Sequence, residues 1–152
     1  MASGRPSAEM PDELVRHLDG THLAIAATVD GDGWPYTMVL NSAIAVDAHR
    51  IRFAIDGRTH SLVNLREHGR IMLEVIGDGF IFGVRGTARV LRDKMDHAPI
   101  ASAMIEIEVE LVKQDLPPGV IVEGPMFRWG ALDPYKTPIE PAMFEELRTF
   151  VE

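Results

Sequence analysis

Apolar residues recur mainly at every second position along this chain, the period of a half-buried strand, and a helical period of three to four intrudes in a few short stretches. The first such stretch is "MPDELVRHLDG". Pro11 suits a first helical turn, Asp12 and Glu13 favour its positive end and Gly20 can terminate it, so a short helix is predicted over 11–19 with Leu14, Val15 and Leu18 on one face. "HLAIAATV" then reads as a strand, "DGDG" supplies hairpin-turn chemistry, and "WPYTMVLNSAIAV" returns as one longer strand. "DAHR" turns the chain into "IRFAI". The spacing of Leu62, Leu65 and Arg66 predicts a helix from about 61 to 68.

The second half is equally strand-rich. "RIMLEVIG", a Gly-Asp-Gly turn and "FIFGVRGTARVLR" predict a hairpin, with Gly83 and Gly86 marking a bulge or a close backbone approach. "DKMDHAPIASAM" is ambiguous and reads as a broken helix interrupted at Pro99. "MIEIEVELVK" alternates strictly, with Ile105, Ile107, Val109 and Leu111 on one face and Glu106, Glu108 and Glu110 on a wet one. "VIVEGPMFRWG" offers a final short strand, and an amphipathic helix over about 141–151 closes the chain. The fold class is therefore mainly β with short helices. About six or seven antiparallel strands favour a small barrel, since closure removes exposed edges.

Length and composition narrow the class without changing it. The 152 residues fit a single domain over 1–152, and no apolar run approaches the roughly 20 residues of a membrane helix. A net charge of -8 argues against a nucleic-acid partner, which needs a cationic surface. "MASGRPSAEM" has no apolar core after a basic start, so no secretory leader is expected. The absence of cysteine removes disulfides and thiolate chemistry, which fits the cytoplasm.

Candidate chemistry concentrates where "IRFAI" hands over to the second helix. Thr59 is a natural N-cap, and the free N–H groups of a first helical turn attract anions. Arg58 can add a charged fork, and His60 and Ser61 further donors; an ordinary capped helix with solvated polar residues accounts for the same pattern. The six histidines show no metal-site spacing, so no metal is expected, and no nucleophile elbow points to a hydrolase. Trp129, beside Arg128, can stack on a planar ligand or plug a barrel or dimer interface.

Four segments in this order, "ATVDGDGWPYTMVLNSAIAV", "IRFAI", "RTHSLVNLREHGRIMLEV" and "GVRGTARVL", resemble the FMN-binding split β-barrel family that includes the pyridoxamine 5′-phosphate oxidases. The resemblance runs from about Leu23 to Arg92 and more loosely to Trp129. It implies a split β-barrel homodimer with the ligand site at the subunit interface. It sets the flavin phosphate at Thr59, His60 and Ser61, with Arg58 beside them, and the isoalloxazine ring along Met38, Val39, Leu40 and Asn41. Backbone at Ala54 and Ile55 would flank the ribityl chain, and Trp129 of a second subunit would cap the site.

The sequence also departs from the family pattern. The cations of the phosphate run are His60 and Ser61 here, the basic ring-side positions are Met38 and Ala43, and "FEELRTFVE" replaces the arginine-bearing ending of true pyridoxamine phosphate oxidases. Each cation replaced removes a charge-assisted hydrogen bond worth about 1.5–3 kcal/mol. The implied function is an FMN-dependent oxidoreductase acting on an unidentified small molecule, without that oxidase activity and with no assignable catalytic acid or base. The alternatives are a deazaflavin (F420)-dependent reductase, and a non-enzymatic split barrel holding haem or another ligand.

Overall fold

The alternation along the chain is satisfied by antiparallel pairing. The computed structural model describes residues 6–123 and 136–152, with backbone alone over 136–140. Its elements are α1 (Asp12–His17), β1 (Ala24–Val29), β2 (Pro35–Leu40), β3 (Ile44–Ala45), β4 (Arg50–Asp56), α2 (His60–His68), β5 (Arg70–Gly77), β6 (Phe80–Arg92), β7 (Ser102–Gln114) and α3 (Lys136–Thr149). The seven strands form one sheet in the order β2-β1-β5-β6-β7-β4-β3, curled into a split barrel. At Gly86 the register between β6 and β7 slips, and a Cβ there would overlap the Glu108 carbonyl and the Ile107 side chain. The expected bulge and close approach coincide at this residue.

The barrel interior is filled by inward residues from every side, among them Ala26, Phe53, Leu62, Leu73, Val84 and Ile107. A second apolar cluster lies where α3 packs, made of Ile44, Met95, Met104, Met143, Phe144 and Leu147. α2 is tied to the sheet by Asn64, whose Nδ2 donates to Thr28 Oγ1 at 3.0 Å in the buried interior.

Several expected elements differ in the structure. α1 ends at His17, because Leu18 leaves helical geometry and Asp19 bridges to Ile44. The single long strand over 34–46 is two, β2 and β3, broken at residues 41–43. Ser42 Oγ accepts from Ala54 N at 3.1 Å and donates to Ala54 O at 3.2 Å, replacing ladder bonds with side-chain ones. Residues 93–101 are bends with no helix, and residues 120–123 are not a strand; the remainder of that expected strand lies outside the described residues. Glu106 is 4% exposed, not wet, because α3 closes over the outer face of β4 and β7 there. Beyond Val109 the bulge reverses the alternation, so Leu111 is half-buried and Val112 enters the core.

Candidate functional site

The broken strand and the second helix meet across a cleft of about 530 Å³. One wall is β2, an edge strand that opens on Pro35, a residue without an N–H to offer a ladder. Met38, Val39 and Leu40 line it from this strand, and Asn41 and Ser42 from the break that follows. Opposite lie Ala54 and Ile55 at the end of β4, then Arg58, Thr59, His60 and Ser61 leading into α2. Pro99, Ile100 and Ser102 close a third side, and Met143 comes in from α3.

Ten of the residues singled out from the sequence are thus brought to one cleft. Trp129 lies outside the described residues. Sequence reasoning missed Tyr36, Thr37, Ser42, Asp56 and the wall from 99 to 102. Ser42 did carry a signal, as part of the polar pair interrupting "WPYTMVL…AIAV". Pro99 and Ile100 carried none, since only tertiary folding brings their loop to β2.

The α2 end of the cleft has a defined geometry. Thr59 caps the helix: its Oγ1 donates to the Asp56 carbonyl at 3.0 Å and accepts from Leu62 N at 3.4 Å. The N–H groups of His60 and Ser61 then have no carbonyl partner within the helix. Asp56 folds back on the turn, accepting Arg58 N at 3.0 Å in an Asx turn. It also accepts Arg58 Nε at 3.0 Å and Nη2 at 2.7 Å. The Arg58 side chain and then its backbone N–H hold the Asp56 carboxyl at about 2. The His60 ring packs tilted against that of Tyr36, their centres 5.2 Å apart, at the mouth.

Cleft size and lining suit a planar heteroaromatic ligand with a polar tail. Drug-sized ligands occupy clefts of roughly 300–1,000 Å³ lined by apolar side chains with a few convergent polar groups. Here the apolar groups lie along β2 and the loop carrying Ile100, and the donors gather at α2. A flavin ring and sugar fit this donor set; toward a terminal phosphate stand the His60 and Ser61 N–H groups and Arg58, whose Nε and Nη2 edge is taken by Asp56. No group of three histidine, aspartate or glutamate side chains is placed to hold a metal ion among the described residues. No helix among them is long and apolar enough to cross a membrane.

Comparison with known proteins gives the same outline. The sequence model of the pyridoxamine 5′-phosphate oxidase family matches residues 10–128. Among solved structures, a candidate pyridoxamine 5′-phosphate oxidase from Lactobacillus delbrueckii superposes with a TM-score of 0.60 at 20% identity, covering 70% of this chain and 94% of its own. A structure named F420 reductase superposes at 0.57 and 15% identity, covering 68% and 98%. An FAD-binding protein from Mesorhizobium loti does so at 0.55 and 16%, covering 75% and 97%. No curated protein matches the sequence. At these identities the structures share the fold.

Proposed function

The chain belongs to the pyridoxamine 5′-phosphate oxidase family, and we propose on that ground that it is a flavin-binding oxidoreductase, with FMN as the flavin and a small molecule as its redox partner. The observation that carries this reading is the meeting of the β2 wall, the end of β4 and the N-terminus of α2 in one cleft. When bound, the flavin supplies the hydride or electron chemistry. The protein binds and orients it. Met38, Val39 and Leu40 give the ring an apolar bed, Asn41 offers polar groups at its edge, Ala54 and Ile55 border the sugar chain, and Thr59, His60 and Ser61 present donors to the tail.

A second copy of the chain completes the proposal. Ile25 and Val39 are register partners on β1 and β2, and Met72 lies on the same face one pair further along, opposite Ala27; all three are exposed. Val39, 65% exposed, belongs both to this strip and to the cleft. A homodimer seated on the strip would put its partner against the cleft and bury the largest apolar side chains there. In this reading the protein is one domain working in the cytoplasm, where reduced donors for a flavin are kept. An F420 tail, with several negative charges, suits a mouth of zero formal charge less well than FMN does.

The test is a titration of flavin-free protein with FMN, followed by flavin fluorescence. Saturable quenching at micromolar FMN is expected, and Thr59→Ala, which disturbs the cap beside the tail, should weaken it about tenfold. Absence of saturation with FMN contradicts the reading. Saturation by F420 or haem in its place would assign the cleft to that ligand.

A further inference from the structure

The mouth of the cleft carries one cation and one anion, and they neutralise each other. Arg58 and Asp56 are the charged residues lining the cleft among the described residues; with histidine neutral, their formal charges cancel. The Nε and Nη2 edge is one of the two edges by which a guanidinium receives a phosphate as a two-pronged fork. In this chain that edge is closed on both oxygens of Asp56. Thr59 does not make up the deficit, since its hydroxyl proton goes to the Asp56 carbonyl. The carboxylate is also fixed in place by the Arg58 N–H, and it stays ionised at any pH near neutral. A phosphate monoester arriving with about -1.5 to -2 charges therefore finds one edge of the guanidinium taken, only its exposed Nη1 side open, and a like charge beside it.

We propose that Asp56 is a specificity residue of the cleft: by occupying the Nε and Nη2 edge of Arg58, cancelling its charge and placing a negative charge at the α2 N-terminus, it abolishes preference for a phosphate-ended tail. Hydroxyl-ended flavins such as riboflavin then bind about as well as FMN. The ligand's identity in this inference rests on the flavin reading of the cleft, while the effect of Asp56 on a phosphate does not.

Inorganic phosphate is accordingly the first probe, titrated into the full-length protein and followed through the backbone amide resonances of His60 and Ser61. Asp56→Asn should bind phosphate on the order of tenfold more tightly than the unaltered chain, and the gain should vanish in Asp56→Asn combined with Arg58→Gln. Equal phosphate affinity with and without the Asp56 carboxylate overturns the inference, as does a gain that survives loss of Arg58. Should Asp56→Asn perturb resonances beyond the turn, Asp56→Ser, which keeps an acceptor for the Arg58 N–H, is read in its place. Riboflavin and FMN titrations give the second arm: dissociation constants within about threefold of each other in the unaltered chain, and FMN favoured about tenfold in Asp56→Asn. An unaltered chain that already prefers FMN by more than tenfold contradicts the proposal. Failure of both flavins to bind overturns the flavin reading alone, since the phosphate comparison is still decided by its own result.

Discussion

Glu106 shows how one side chain's surroundings reverse what its position in a strand suggests. Strict alternation assigns it to solvent, yet it accepts Arg52 Nε at 2.7 Å and Arg89 Nη2 at 3.1 Å while buried. Burial by itself would raise its carboxyl, but the hydrogen bonds and charges of Arg52 and Arg89 hold it below the ordinary 4.5. Because the folded value is depressed, the pair stabilises the protein above about pH 4.5 and that contribution is lost as pH falls through the lower folded value. Glu106→Gln should therefore lower stability near neutral pH by about 3 kcal/mol, since Arg52 is left buried without its counter-charge. Urea unfolding at several pH values checks this, and the variant should also show a shallower loss of stability on acidification. An unchanged midpoint would mean the pair contributes nothing. At this scale Thr59 was legible, being a capping residue placed just before a helical run. Asp56 was not: "DG" signals a turn, and the ion pair two residues on is visible only in three dimensions.

Among the elements, α3 does most to shape what the sequence left open. Its amphipathy was readable, but it begins at Lys136, ahead of the expected bound near 141, and carries Pro141 inside. Its C-terminal end is held by Arg52, whose Nη1 donates to the carbonyls of Leu147 at 3.2 Å and Phe150 at 2.8 Å. Glu146 ties the irregular loop of residues 93–101 to the helix. One of its oxygens accepts Asp96 N at 3.0 Å and Arg92 Nη1 at 3.1 Å, and the other accepts His97 N at 3.0 Å. That loop carries Pro99 and Ile100 into the cleft wall, so Glu146 fixes one side of the site from a distance. Truncation in Glu146→Ala should speed hydrogen exchange at the Asp96 and His97 amides about tenfold, the loss of one charge-assisted bond each. Unaltered exchange there would show that the loop holds itself. "DKMDHAPIASAM" was unreadable because its order comes from these tertiary hydrogen bonds and not from any periodicity of its own.

Over the whole molecule, period-two patterning was enough for the class of fold: β5 and β6 match their expected segments, and the seven strands pair antiparallel throughout. What it could not convey is which faces α3 covers and which remain open. Among the described residues the face of β1, β2 and β5 bearing Ile25, Val39 and Met72 is exposed, and its seating of a second copy is testable by itself. Ile25→Arg replaces an apolar side chain of that strip with a long charged one, opposite Glu74, without touching the cleft lining. It should convert a dimer to monomer by light scattering at micromolar concentration, with a dissociation constant raised at least about a hundredfold. A monomeric unaltered chain, or a dimer indifferent to the arginine, would place association elsewhere. Whether the cleft is a flavin site is tested most directly by an amide-resolved map of an FMN titration. Saturable shifts concentrated at Met38, Leu40, Asn41, Thr59, His60 and Ser61 are expected. Saturation with shifts gathered away from these residues, or no saturation at all, would contradict a flavin site there.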